Sequence, residues 1–170
     1  MKGQLSLLIH DLSAAQITAL LPDIAGYQII DANANAAFCQ GCFGCWLKTP
    51  GICVMKDRLQ TISADIGHCK EMVILSRCCY GGFSSGVKRA LDRAIGVSLP
   101  FFTYRGGSVH HSLRYGNKPK LRICFYDART EFERDTAVRL AEANRINQGF
   151  SEVQISFAAD VEHIAEEIRL

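Results

Sequence analysis

Cys39, Cys42, Cys45 and Cys53 stand at the spacing C-x2-C-x2-C-x7-C. Three thiolates with two residues between neighbours can converge on one small metal centre from a single irregular loop, and Gly41, Gly44 and Gly51 leave that loop free to curl. A [4Fe-4S] cluster is the favoured group for such a set. Structural zinc, which usually draws on two pairs of thiolates separated by a longer loop, stays open, as does a loop that holds no metal. Disulfides fit less well. Nothing at the N-terminus resembles a signal peptide, so the expected compartment is the reducing cytoplasm, where eight cysteines serve as ligands, redox thiols or small core residues.

Other reactive side chains are less specific. Cys78 and Cys79 form a vicinal pair at the end of an apolar run, readable as redox thiols or as small buried residues, and the second reading is preferred. Cys69 and Cys124 sit in or beside predicted strands and read as core. Adjacent His110 and His111 cannot face one ion from a strand, which argues against a metal site built from this pair alone and leaves substrate contact or a subunit interface. Phe43 and Trp46 either shield the thiols from water or simply pack. No Ser-His-Asp, Walker or paired-carboxylate pattern supports a hydrolase or a kinase.

The elements that must position these residues alternate short apolar runs with amphipathic helices, as in a parallel sheet covered on both faces. Runs at 5–9, 27–30, 72–75 and 121–126, with Val153, Ile155 and Phe157, supply five strands. Ser13 with Gln16 and Thr130 with Glu133 make capping boxes. Asp57 is expected to cap a helix carrying Leu59, Ile62 and Ile66. Val87, Ala90, Leu91, Ala94 and Ile95 mark a further helix, and Asp160 opens the last one, with Val161, Ile164, Ala165 and Ile168 inward. Residues 97–117 read as a long loop. The pattern predicts one α/β domain over residues 1–170: a three-layer, doubly wound, five-stranded parallel sheet of flavodoxin-like type, strand order 2-1-3-4-5, with ligands at the carboxyl ends of the strands. A net charge of +2 without a concentrated basic face gives no reason to expect nucleic acid, and no apolar run is long enough to span a membrane.

The stretch CQGCFGCWLKTPGICVMKD, followed after a strand by SRCCYGGFSSGVKRALDR, resembles the NADPH-dependent FMN reductase-like and iron-sulfur flavoprotein branch of the flavodoxin superfamily. Ser76, Tyr80, Gly81, Lys88, Asp92 and Arg93 match its frame, with Tyr80 one position off the usual aromatic. The resemblance implies an FMN resting on Arg77, Cys78, Cys79, Tyr80, Gly81 and Gly82, with Ser13 toward its phosphate and NAD(P)H as a possible donor. It further implies a small-molecule or protein electron partner and a homodimer or homotetramer; it names no catalytic residue. Arg77 replaces the family's usual proline, either to stabilise a reduced ring or as a solvated strand-end arginine. The chain departs from the family at Ile9-His10-Asp11-Leu12-Ser13, which has no glycine and carries a carboxylate that repels a phosphate dianion. An alternative follows from that departure: a flavin-free metal-binding or non-catalytic partner subunit. In either case the thiols and the Tyr80 turn are expected at one rim of the sheet.

Overall fold

A computed structural model describes residues 5–22 and 24–168. Along the chain come β1 (Ser6–His10), α1 (Ala14–Leu20), β2 (Tyr27–Asp31), α2 (Gly44–Leu47), α3 (Ile62–His68), β3 (Glu71–Arg77), α4 (Ser85–Arg93), β4 (Ser98–Arg105), β5 (Ser108–Leu113), β6 (Lys120–Tyr126), α5 (Glu131–Gln148), β7 (Val153–Ala158) and α6 (Ile164–Glu167). Five strands form one sheet in the order β2-β1-β3-β6-β7, and every pairing in it is parallel. Numbered within the sheet, this is the expected 2-1-3-4-5, and the fold is flavodoxin-like.

The near-continuous apolar runs are explained by cover on both faces. Leu7, Ile9, Met72, Ile74, Leu121, Ile123 and Phe125 point to one side, where they meet Ile62 and Ile66 of α3, Val87 and Ala90 of α4, and Ala137 and Ala141 of α5. Their alternate neighbours Leu8, Val73, Leu75, Cys124 and Tyr126 point the other way, toward Leu12, Leu21, Ile164 and Ile168. Cys124 and Cys69 are core residues, as expected. Burial pushes the Cys69 thiol up to about 12, which keeps it protonated and inert.

Helix starts follow the expected chemistry. Both capping boxes are present, Ser13 with Gln16 ahead of α1 and Thr130 with Glu133 ahead of α5, and the Ser84 side chain accepts the Val87 N–H at the start of α4. Asp57 departs from expectation. Helix α3 begins at Ile62 with Thr61 as its cap, because the Asp57 carboxylate is committed to an arginine described below. Ala165 also departs, being exposed rather than inward.

Residues 97–117 are not an open loop. β4 and β5 pair antiparallel as a two-stranded hairpin that, among the described residues, joins no other strand. Its two-residue turn is Gly106-Gly107, both at positive φ (55° and 86°), the mirror-image turn whose twist suits paired strands. His110 and His111 lie next to each other on β5 and have different partners. His110 Nδ1 is 3.0 Å from Asn147 Oδ1, while His111 Nδ1 is 2.9 Å from the Leu99 carbonyl oxygen. No described helix is long and apolar enough to cross a membrane.

The joint between α3 and the segment after the hairpin is tight. Gly67 is buried with the Tyr115 ring where a Cβ would stand. We expect Gly67→Ala to destabilise the protein by about 1–3 kcal/mol through overpacking, read as a lowered urea midpoint with an unchanged m-value; an unaltered midpoint would contradict this packing.

Candidate functional site

The approach to the cysteine loop is held by carbonyl oxygens against α4. Arg89 Nη2 donates to the Ala32 carbonyl at 2.8 Å and Nη1 to that of Ala36 at 3.1 Å. Arg93, one turn on, donates from Nη1 to the Ala37 carbonyl at 2.8 Å. The same guanidinium grips Asp57 in fork geometry, Nη1 to Oδ2 at 2.8 Å and Nη2 to Oδ1 at 2.9 Å. Asp57 then accepts the N–H groups of Ala37 and Leu59. One half-buried ion pair therefore pins the chain on both sides of the thiols. Arg93 is 2% exposed, and its hydrogen bonds hold the Asp57 carboxyl down to about 2.

Cys39, Cys42, Cys45 and Cys53 line one small cavity of about 20 Å³, together with Phe43, Val54, Met55, Arg93 and Ile95. Cys39 and Cys42 are exposed, Cys53 is half-buried and Cys45 is buried. The folding of the loop explains this convergence. Phe43 takes the left-handed conformation at φ 53° and starts α2, whose Gly44 packs against Val54 without room for a Cβ. Cys53 N–H donates to the Gln60 carbonyl at 2.8 Å, drawing the returning segment back toward α3. Burial first, then the neighbouring Cys53, Cys39 and Cys42, push the Cys45 thiol up. Trp46 donates from Nε1 to the Ile95 carbonyl at 3.0 Å and packs between Phe43 and His111, at 4.8 Å and 5.1 Å between ring centroids. Among the described residues no three His, Cys, Asp or Glu side chains are arranged to hold a single metal ion. Around zinc, four sulfurs at about 2.3 Å from the metal would lie within about 4 Å of one another.

The carboxyl rim of the sheet has a different character. Asp11, directly after β1, accepts the Arg77 N–H on Oδ2 at 2.9 Å and the Tyr126 hydroxyl on Oδ1 at 3.0 Å. Its main-chain carbonyl accepts from Asn33 Nδ2 at 2.7 Å. Tyr126 is held protonated, its pKa raised by burial and then by Asp11, so it is a steady donor. Ser13 is engaged with Gln16 in both directions. His10 is buried, its Nδ1 has no partner among the described residues, and desolvation lowers its pKa, which disfavours a cationic imidazole. These residues do not fit the phosphate of FMN: the Arg77 N–H and the Tyr126 hydroxyl are donated to Asp11, residues 9–13 hold no glycine cradle, and a carboxylate occupies the strand ends.

Residues 79–82 form a tight turn in which Cys79 and Gly82 exchange backbone hydrogen bonds of 2.8 Å and 2.9 Å. Tyr80 and Gly81 both have positive φ, 53° and 80°, and the Tyr80 side chain is 93% exposed at the tip. Gly81 lies against Thr136 of α5 with no space for a Cβ. The vicinal thiols are split, Cys78 buried and Cys79 exposed, with burial pushing the Cys78 thiol up. Arg77 turns its guanidinium to Asp127, Nε to Oδ2 at 3.3 Å, with both side chains partly in solvent.

The expectation that the thiols and the Tyr80 turn share one rim is overturned. The turn precedes Ser85 at the start of α4, whereas the cysteine cavity is walled by Arg93 and Ile95 at the other end. The nine residues of α4 rise about 13 Å between them. Arg89, Arg93 and Asp57 were not among the residues singled out for binding or chemistry. Their signal was present, since Arg93 follows Ala90 by three positions on the apolar stripe of α4 and so places an arginine on a core-facing line.

No protein-family model matches the chain, and no curated protein matches it. Solved structures do. An azoreductase from Bacillus anthracis str. Sterne aligns with a TM-score of 0.58 at 8% identity, over 96% of this chain and 90% of that one. An FMN-dependent NADH-azoreductase from Bacillus anthracis str. Ames Ancestor, in complex with FMN, aligns at 0.56 and 14% identity, over 95% and 93%. An NAD(P)H:quinone oxidoreductase from Methanothermobacter marburgensis aligns at 0.56 and 12%, over 96% and 94%. At these identities the likeness establishes the fold.

The Asp57 pairing carries a pH signature. Its folded pKa lies below the unfolded value of about 3.9, so the stabilisation is complete above that value and is lost as pH falls through about 2. We expect the stability gap between wild type and Asp57→Asn to narrow by about 2 kcal/mol between pH 7 and pH 2, measured by urea unfolding at both pH values. A gap that stays constant would mean the carboxylate is not held by Arg93.

Proposed function

We propose that this chain is a flavodoxin-like oxidoreductase of the electron-transfer type, with a [4Fe-4S] cluster carried by Cys39, Cys42, Cys45 and Cys53. One observation carries the reading: four thiols, two of them separated from the others in sequence or burial, line a single cavity against a buried guanidinium. The donor set suits the group, because four thiolates match the four irons of a cubic cluster. All eight cysteines are unpaired, in keeping with a reducing compartment such as the cytoplasm. A bound cluster would supply one-electron redox chemistry; Cys39 and Cys42, the exposed pair, stand nearest solvent and a redox partner.

For the rim, the FMN-bound NADH-azoreductase and the NAD(P)H:quinone oxidoreductase of the same fold support a flavin and NAD(P)H as the source of electrons, and the exposed Tyr80 turn, directly after β3, is the segment assigned to the ring. Residues 9–13 offer the phosphate no grip, so FMN here would depend on contacts to its ring. The second reading, a flavin-free metal-binding or non-catalytic partner subunit, is favoured by the Asp11 carboxylate bridging β1, β3 and β6. A homodimer or homotetramer is also part of the proposal. Phe101, Phe102, Tyr104 and Val109 stand 65–73% exposed on the hairpin, an apolar surface that burial against a second copy would remove from water.

Anaerobic purification followed by a visible spectrum and iron, sulfide and zinc analysis tests the cysteine reading. We expect a broad charge-transfer band with about four iron atoms per chain, lost in Cys42→Ser. Stoichiometric zinc, or no metal after reconstitution with iron and sulfide, would refute it. For the rim, titration with FMN separates the two readings. Asp11→Gly, which removes the repelling charge, is expected to tighten FMN at least tenfold; unchanged or weaker binding would count against Asp11 as the obstacle.

A further inference from the structure

We propose that Arg93 tunes the cysteine site directly, as a positioning residue whose Nε–H is directed to the Cys53 sulfur while its Nη atoms remain on Asp57 and Ala37. The inference rests on reading the cysteine cavity as a metal centre, and it assigns to that centre a hydrogen-bond donor from outside the cysteine loop.

The geometry leaves this guanidinium one unused donor. Its side chain is fully buried, at 0% exposure in the ion pair with Asp57. Nη1 is used by Ala37 and Asp57, and Nη2 by Asp57 with a longer approach to the Met55 carbonyl at 3.5 Å. Nε is buried without a partner among the described residues. Leaving one N–H of a buried cation unmatched is costly, and such an orphan calls for an explanation. Arg93 lines the same cavity as the four thiols, and Cys53 is the thiol that interacts with it.

The residue type supports the same role. A guanidinium is a rigid fork, so fixing its Nη edge on a carboxylate also fixes the direction of Nε; a lysine could hold Asp57 but would offer no second oriented donor. An N–H donated to a ligating sulfur withdraws charge from it and favours the reduced state of the group that it binds. Asp57 anchors the fork from behind.

The test uses full-length wild type, Arg93→Lys and Asp57→Asn, each reconstituted anaerobically with iron and sulfide, with the reduction potential followed by the visible band and electron paramagnetic resonance. We expect Arg93→Lys to load but to show a reduced-to-oxidised ratio at least tenfold lower at a fixed solution potential, about 59 mV for one electron. Asp57→Asn, whose amide oxygen keeps one acceptor for the fork, should change that ratio less than Arg93→Lys does while losing stability. A wild-type potential in Arg93→Lys, or equal shifts in both variants, would overturn the proposal and leave Arg93 a structural anchor. Arginine Nε–H nuclear magnetic resonance of loaded wild type covers the case in which Arg93→Lys does not fold. A paramagnetically shifted Arg93 Hε supports the proposal, and an unshifted one overturns it. Wild type that takes up no iron overturns the cysteine reading, and this inference with it; loaded wild type with an unaffected Arg93 overturns this inference alone.

Discussion

The bidentate pair between Arg93 and Asp57 is the interaction on which the arrangement of the thiols depends. A cysteine-rich loop with three glycines has little reason of its own to adopt one shape, since ordering each of its residues costs conformational entropy. The pair supplies the constraint from outside. It binds the chain just before the loop through Ala37 and just after it through Asp57 and Leu59, and it does so from a helix already fixed on the sheet by Val87 and Ala90. An ion pair with its arginine fully buried is a weak argument for net stability, because desolvation offsets much of its attraction. Its contribution here is registry: the loop ends have one place to stand.

The molecule consequently has two chemically different ends. At the carboxyl rim, Asp11 ties three strand ends together by accepting the Arg77 N–H and the Tyr126 hydroxyl. Alongside the far end of α4, the thiols gather with a buried cation and an aromatic wall of Phe43, Trp46 and His111. The solved structures that share this fold establish the scaffold, and a fold carries no function by itself. The four thiols share one cavity, and the hairpin that follows α4 sets His111 against the Trp46 ring beside it.

The fold was legible in the sequence because its determinants are local. Apolar runs such as residues 72–75, the stripe from Val87 to Ala94, and the two capping boxes each act within a few residues, and the alternation of strand and helix then admits few topologies. The hairpin was not read from the sequence, where residues 97–117 looked like a long loop; its aromatics lack strict alternation because the consecutive Phe101 and Phe102 are both exposed. The cysteine spacing likewise specified a convergent set of sulfurs before any geometry was known.

Contacts between residues distant in the chain were decided only by tertiary structure. Asp57 looked like a helix cap, since nothing near it in sequence announces an arginine thirty-six residues away. Asp11 read as a charge facing a ligand, whereas it serves as an acceptor for Arg77 and Tyr126. The thiols and the Tyr80 turn, both close to strand ends in sequence, lie at opposite ends of α4 because the carbonyls of residues 32–37 follow that helix downward. Spacing along a chain determines which side chains can meet locally; which distant groups satisfy one another's hydrogen bonds depends on the packed sheet that brings them within reach.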